Sequence, residues 1–147
     1  PKTGEVIALA SAPQFDPNVF SEEMVGEIWA DLNSPQTKKL VNRATQGAYH
    51  PGSVFKIFMS AAGLAENVVN DQKSFNCPGF LHFGGRNFKC HKHSGHGRVS
   101  LDPALIMSCD VYYYSIGNML GVDRIYKYSD MFGLDRRTGI GIGDESA

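Results

Sequence analysis

The sequence predicts a mixed α/β (α+β) domain in which central helices are buried against an incomplete antiparallel sheet. Three observations carry that prediction. Residues 51–65 and 102–120 read as helices with almost no polar face, Glu5–Ser11 is an apolar run of strand length, and residues 73–98 form a Gly-, Cys- and His-rich stretch with little periodicity. The 147 residues, 42% hydrophobic and 20% charged, suit one ordinary folded domain with its own core. A net charge of −1 without a Lys/Arg cluster gives no electrostatic footprint for nucleic acid, so no nucleic-acid partner is expected. No apolar stretch approaches the roughly 18 residues of a membrane span. A start at Pro1, with neither an initiator Met nor a signal-like segment, suggests a piece of a longer protein whose anchor lies elsewhere.

Taken in order, Pro1–Gly4 is turn chemistry, and a hairpin there would lead into a central strand over Glu5–Ser11. Residues 12–20 form a loop, because Pro13 and Pro17 each remove a backbone donor and restrict the preceding residue. Met24, Ile28, Trp29 and Leu32 give 22–32 a loose helical period that Asn33-Ser34-Pro35 ends; Asn42–Tyr49 is polar and reads as loop. The segment from Pro51 to Ala65 predicts a buried helix. After the 73–98 ribbon, Asp102 is a candidate N-cap, with Pro103 in the first turn of a second buried helix reaching Leu120. A third helix runs from Asp123 to Phe132 and stops at Gly133, and 138–143 reads as a short strand or extended loop.

Lys56 is out of place in so apolar a helix. In Ser53-Val54-Phe55-Lys56 the two polar side chains stand three residues apart, on one helix face, where they can meet. Burial disfavours the charged ammonium, and an unprotonated amine beside a hydroxyl can take its proton and make Ser53 a nucleophile. The helix N-terminus adds unpaired amides that favour an oxyanion. The competing reading is Ser53 as a helix cap and Lys56 reaching to solvent. A phosphate loop is rejected: Gly47 and Gly52 have the right spacing, but no Lys follows the second Gly.

Cys77, Cys90, His96 and Cys109 form a second constellation that uses every cysteine in the chain. Three thiolates and one imidazole make the Cys₃His set of closed tetrahedral zinc, which would staple a segment (73–109) poor in apolar material. One disulfide plus a free thiol, or three small buried hydrophobes, are the alternatives. His91 and His93 are substitutes for His96 and otherwise solvated; His50 and His82 read as structural. A metal on Cys109 would fix the rotation of the helix that presents Ser108 and Asp110.

The stretch Asn42–Lys56, ending in Tyr49-His50-Pro51-Gly52-Ser53-Val54-Phe55-Lys56, closely resembles the active-site segment of class B penicillin-binding proteins. Pro1–Ser11 and Phe15-Asp16-Pro17-Asn18 resemble the start of their transpeptidase domain. Ser108-Cys109-Asp110, with Tyr112–Tyr114 and Gly121-Val122-Asp123 after it, resembles their Ser-x-Asn motif, the Asp being similar to the elongation type. The resemblance covers almost the whole chain in the family's order.

It implies the penicillin-binding protein/β-lactamase-like fold, with Ser53 as acylated nucleophile, Lys56 as its base, Ser108 as a proton relay and Asp110 orienting Lys56 and the substrate amide. Asp in place of Asn exchanges a neutral donor-acceptor for an anion that holds Lys56 protonated unless it is itself neutralised. The third motif, Lys-Thr-Gly or Lys-Ser-Gly on an edge strand, is absent; Lys2-Thr3-Gly4 stands at the wrong end. Residues 1–147 are therefore expected to be the N-terminal portion of a transpeptidase domain, inactive alone. The resemblance also implies zinc near the second motif, as in members of the elongation type.

The implied parent cross-links peptidoglycan stem peptides ending in D-Ala-D-Ala, is acylated by β-lactams, works with a glycosyltransferase and cell-shape proteins, and faces the periplasm from the inner membrane. The alternatives are a β-lactam sensor or class D-like β-lactamase, and a non-catalytic zinc-stapled interaction module.

Overall fold

The computed structural model describes residues 2–21, 23, 25–142 and 145–146. The chain forms two units, Pro1–Tyr49 with Arg137–Ala147, and His50–Arg136.

In the first unit a 3-10 turn, Pro17–Phe20, is capped by Asp16, whose carboxylate accepts the Asn18 N–H at 2.9 Å. Helix α1 (Gly26–Leu32) buries Leu32, and its end is closed by Asn33, whose Nδ2 donates to the Trp29 carbonyl at 2.9 Å. The expected helix start at Glu22 and Met24 lies outside the described residues, as do Pro1 and Gly143. One turn, α2 (Arg43–Gln46), occupies the stretch read as loop. Asn42 caps it by accepting the Ala44 N–H at 3.1 Å, the signal that reading passed over.

The central strand over 5–11 does not form, nor does one over 138–142. Among the described residues no strand pairs with either segment, and Ile7 stands 92% exposed. Apolar, β-prone residues become a strand only against a cross-strand neighbour, and the described residues supply none to these segments.

The second unit holds the core. A 3-10 turn (Gly52–Val54) leads into α3 (Phe55–Ala65), and four short strands follow: β1 (Phe75–Cys77), β2 (Phe80–Phe83), β3 (Arg86–Lys89) and β4 (Gly97–Val99). β1 pairs antiparallel with β4, Phe75 opposite Val99 and Cys77 opposite Gly97. β2 and β3 form a hairpin whose two-residue turn, Gly84-Gly85, has φ of +57° and +77°, as a turn matched to strand twist requires. The 73–98 ribbon is thus two small antiparallel ladders.

The second buried helix is broken where continuity was expected. Helix α4 (Leu101–Ile106) ends and α5 (Asp110–Met131) begins after a three-residue turn, Met107–Cys109. The break is a Schellman closure: the Cys109 N–H reaches the Ala104 carbonyl at 2.8 Å and the Ser108 N–H the Leu105 carbonyl at 3.1 Å. Ser108 itself is left-handed, φ +52°, at a position that glycine usually fills. The N-cap of α4 is Ser100, not Asp102, which stands in the first turn, where a carboxylate favours the helix dipole. Gly121 (φ +75°) interrupts α5, so the separate helices expected either side of it are there in backbone terms; Gly133 (φ +73°) closes the second.

Packing of α3 on α5 joins Met59 and Ala62 to Ile116 and Leu120, with Val69, Val99 and Tyr112 around them. The approach is close at Gly63, where a Cβ would stand 2.9 Å from Val69 Cγ2 and 3.4 Å from Ile116 Cγ2. Ile116 is fully buried. Ile116→Ala is expected to cost about 2–5 kcal/mol, read by denaturant unfolding of the intact protein.

Candidate active site

Ser53 lies in the 3-10 turn just before α3, exposed, while Lys56 in the first turn of α3 is only 8% exposed. The Schellman turn before α5 brings Ser108 to both. Ser53 Oγ and Ser108 Oγ are 2.8 Å apart, and Lys56 Nζ donates to Ser108 Oγ at 2.9 Å and to the Ser108 carbonyl at 2.8 Å. Ser108 therefore bridges the amine and the exposed hydroxyl. Its left-handed backbone stores roughly 1–3 kcal/mol of strain at the residue that makes this bridge.

Asp110, in the first turn of α5, accepts from Lys56 Nζ through Oδ1 at 2.6 Å. Its other oxygen accepts the backbone N–H of His91 at 2.9 Å. Burial works against ionising Asp110, but the Lys56 ammonium and the His91 N–H outweigh it and hold the carboxyl below the usual carboxylate range. Asp110 is thus an anion paired with Lys56. The ring of Tyr113 lies 5.6 Å from Nζ, and its hydroxyl bonds Ser60 Oγ at 2.9 Å, which in turn donates to the Lys56 carbonyl at 2.8 Å. Sequence reasoning missed Ser60 and Tyr113; their spacings, four after Lys56 and three after Asp110, mark the same helix faces. A groove of about 670 Å³ opens beside Ser53 and Lys56, walled by Met59, Leu81, Phe88 and Tyr114.

Behind this network the second constellation also converges. The ligand atoms of Cys77, Cys90, His96 and Cys109 all lie within 4.8 Å of one another, and the three thiols are free and buried. His96 Nδ1 is 3.6 Å from Cys77 Sγ and 3.5 Å from Cys90 Sγ. This group could hold a metal ion. Burial, followed by the nearby His91 and Lys92, pushes the His96 imidazole below its ordinary value, toward the neutral form a ligand needs. Burial opposes ionisation of Cys77 too, yet the His96 and Gly79 N–H groups bring that thiol below its ordinary value. Cys109 is pushed up to about 12 by burial and then by its sulfur neighbours, so its thiolate form needs a cation to compensate it.

Of the other histidines, His91 joins the site through its backbone and also lies with Cys90 and Asp110 in a second, less buried group. His82 bonds Asn87 across the hairpin at 2.7 Å, and His50 and His93 are exposed.

The chain matches the penicillin-binding protein transpeptidase domain over residues 1–147. It belongs to that family. Relatives of this transpeptidase-domain chain include peptidoglycan D,D-transpeptidase MrdA of Acinetobacter baumannii, 36% identical over 99% of the chain and 22% of that protein. MrdA of Escherichia coli K12 is 35% identical over 99% of the chain and 23% of that protein. The chain thus spans under a quarter of the length of these curated relatives. Among solved structures it resembles Pseudomonas aeruginosa PBP2 in complex with WCK 5153, with a TM-score of 0.88 and 31% identity over 99% of the chain and 33% of that one. It also resembles PBP2 of Helicobacter pylori in complex with MreC, with a TM-score of 0.84 and 27% identity over 92% of the chain and 26% of that one. The transpeptidase fold accounts for the mixture of buried helices and small antiparallel ladders.

Proposed function

We propose that the chain is the N-terminal portion of the transpeptidase domain of an elongation-type penicillin-binding protein, whose parent cross-links peptidoglycan stem peptides through an acyl-enzyme on Ser53. The observation that carries this reading is the hydrogen-bonded chain from Ser53 Oγ through Ser108 Oγ to Lys56 Nζ and on to Asp110. The Lys56 ammonium first loses a proton to solvent, and the amine then accepts the Ser53 proton by way of Ser108 as Oγ attacks the D-Ala carbonyl carbon. Asp110 stabilises the ammonium that forms. Collapse of the tetrahedral intermediate breaks the carbonyl–nitrogen bond, and the same proton returns through Ser108 to the leaving D-Ala amine, which leaves Ser53 acylated. An acceptor amine from a second stem peptide then takes the acyl group. β-Lactams fit this scheme as mimics of the D-Ala-D-Ala amide. The third family motif, absent from 1–147, completes the cleft in the parent.

Zinc is the ion the Cys77, Cys90, His96, Cys109 set suits best. With bonds of about 2.3 Å to sulfur and 2.0–2.1 Å to nitrogen, a tetrahedral site has S···N edges of roughly 3.6 Å, and two of the three sulfur–imidazole separations, those from Cys77 and Cys90, are 3.6 and 3.5 Å. Held by these four residues, the ion would have no open position and its role would be structural: Cys77 and Cys90 would anchor the ribbon to it and Cys109 the start of α5. Among the described residues no helix is long and apolar enough to cross a membrane. The likeness to PBP2 in complex with MreC and to a peptidoglycan synthase complex that coordinates polymerization and crosslinking supports a parent that works with cell-shape proteins and a glycosyltransferase; the periplasmic face of the inner membrane is what the family resemblance implies for it. A fluorescent penicillin added to the intact protein is expected to label Ser53 covalently and stoichiometrically, and not to label Ser53→Ala. Rapid turnover of the β-lactam, or label on another residue, would overturn the assignment.

A further inference from the structure

We propose that the backbone N–H of His91 is a positioning group for acylation: it fixes the Asp110 carboxylate so that its other oxygen holds Lys56 against Ser108. The inference rests on the function proposed above and adds a residue outside its motifs. Rotation of a carboxylate about its last bond is soft, so the Lys56 contact alone leaves the plane of Asp110 loosely set. Here both oxygens are engaged, Oδ1 by Lys56 at 2.6 Å and Oδ2 by the His91 N–H at 2.9 Å. The peptide that presents this N–H is anchored through its neighbour. The preceding Cys90 is 1% exposed, its N–H donates to the Gly79 carbonyl at 2.8 Å, and its sulfur belongs to the Cys/His group.

The His91 ring contributes little. It is 55% exposed, and its Nδ1 reaches Oδ2 only at 3.4 Å. The tie therefore belongs to the main chain, which explains why a histidine that reads as solvated in sequence has a place in the site. Loss of the N–H would free the carboxylate to turn and carry Lys56 away from Ser108, a displacement of the size that costs proximity catalysis about a hundredfold.

The test uses the intact protein and a fluorescent penicillin, with labelling kinetics resolved into the dissociation constant of the non-covalent complex and the acylation rate constant. His91→Ala keeps the N–H and is expected to retain an acylation rate constant at least fivefold above that of His91→Pro. His91→Pro removes it and is expected to lower the acylation rate constant at least tenfold, with the dissociation constant changed by less than twofold. In an Asp110→Ala background the same His91→Pro change should cost nothing further. An equal loss in His91→Ala would assign the role to the ring, and an undiminished loss in the Asp110→Ala background would make it a general structural effect; either overturns the proposal. Hydrogen exchange at the His91 amide, read at residue resolution in wild type and Asp110→Ala, decides the matter where His91→Pro does not fold. At least tenfold faster exchange in Asp110→Ala supports the tie and unchanged exchange refutes it. That readout stands even if Ser53 is never acylated, so failure of the proposed function and failure of this inference are distinguishable.

Discussion

Lys56→Ala in the intact protein is expected to slow acylation of Ser53 by a labelled penicillin by roughly 10²–10⁴-fold, the range over which a positioned general base contributes. The amine is the one nitrogen base in hydrogen-bond contact with Ser108 Oγ among the described residues, and Ser108 is the bridge to Ser53. Without it the Ser53 proton has no acceptor on this path. The substitution also leaves Asp110 anionic without its cation. Breaking a fully buried pair costs about 3–5 kcal/mol, but the Asp110 side chain keeps 24% of its exposure. A loss of roughly 1–3 kcal/mol is therefore expected, below the fully buried figure because solvent reaches the carboxylate.

The two effects separate in a double variant. Asp110→Asn added to Lys56→Ala removes the uncompensated charge, so denaturant unfolding should show most of that stability regained while labelling stays as slow as in Lys56→Ala. Labelling within threefold of wild type in Lys56→Ala would show that the proton leaves Ser53 by another route, and the mechanism would fall.

What was legible in the sequence was chemistry at short spacing. Ser53 and Lys56 share a helix face by arithmetic, and Ser108 and Asp110 sit on the segment that the resemblance singled out; the core helices followed from their lack of a polar face. Long-range hydrogen bonding was not legible. The run Glu5–Ser11 has the composition of a strand and no partner among the described residues, because pairing is a property of the sheet and not of the segment. The break at Met107–Cys109 was hidden since a serine takes the left-handed position where a glycine would have announced it. His91 was invisible for a related reason: its contribution is a main-chain N–H that any residue but proline carries, so no side-chain pattern can report it.

The second large effect concerns the Cys/His group. Cys90→Ser in the intact protein is expected to abolish stoichiometric zinc, measured by elemental analysis, and to lower the thermal midpoint by several degrees. A ligand that binds only the folded state adds about 4 kcal/mol of stability when present at a thousand times its dissociation constant. That contribution matters here because the ribbon has little else: β1 and β4 pair over three residues, β2 and β3 over four, and much of the hairpin is exposed. Two-stranded ladders of that length are marginal in water without a partner surface or a staple. Cys109 ties the same group to the turn carrying Ser108, so the variant should also slow Ser53 labelling, while a conservative change at exposed His93 leaves zinc, midpoint and labelling unaltered. Wild-type protein purified without zinc, with three titratable thiols and a midpoint indifferent to a chelator, would remove the metal and leave these sulfurs as buried apolar groups.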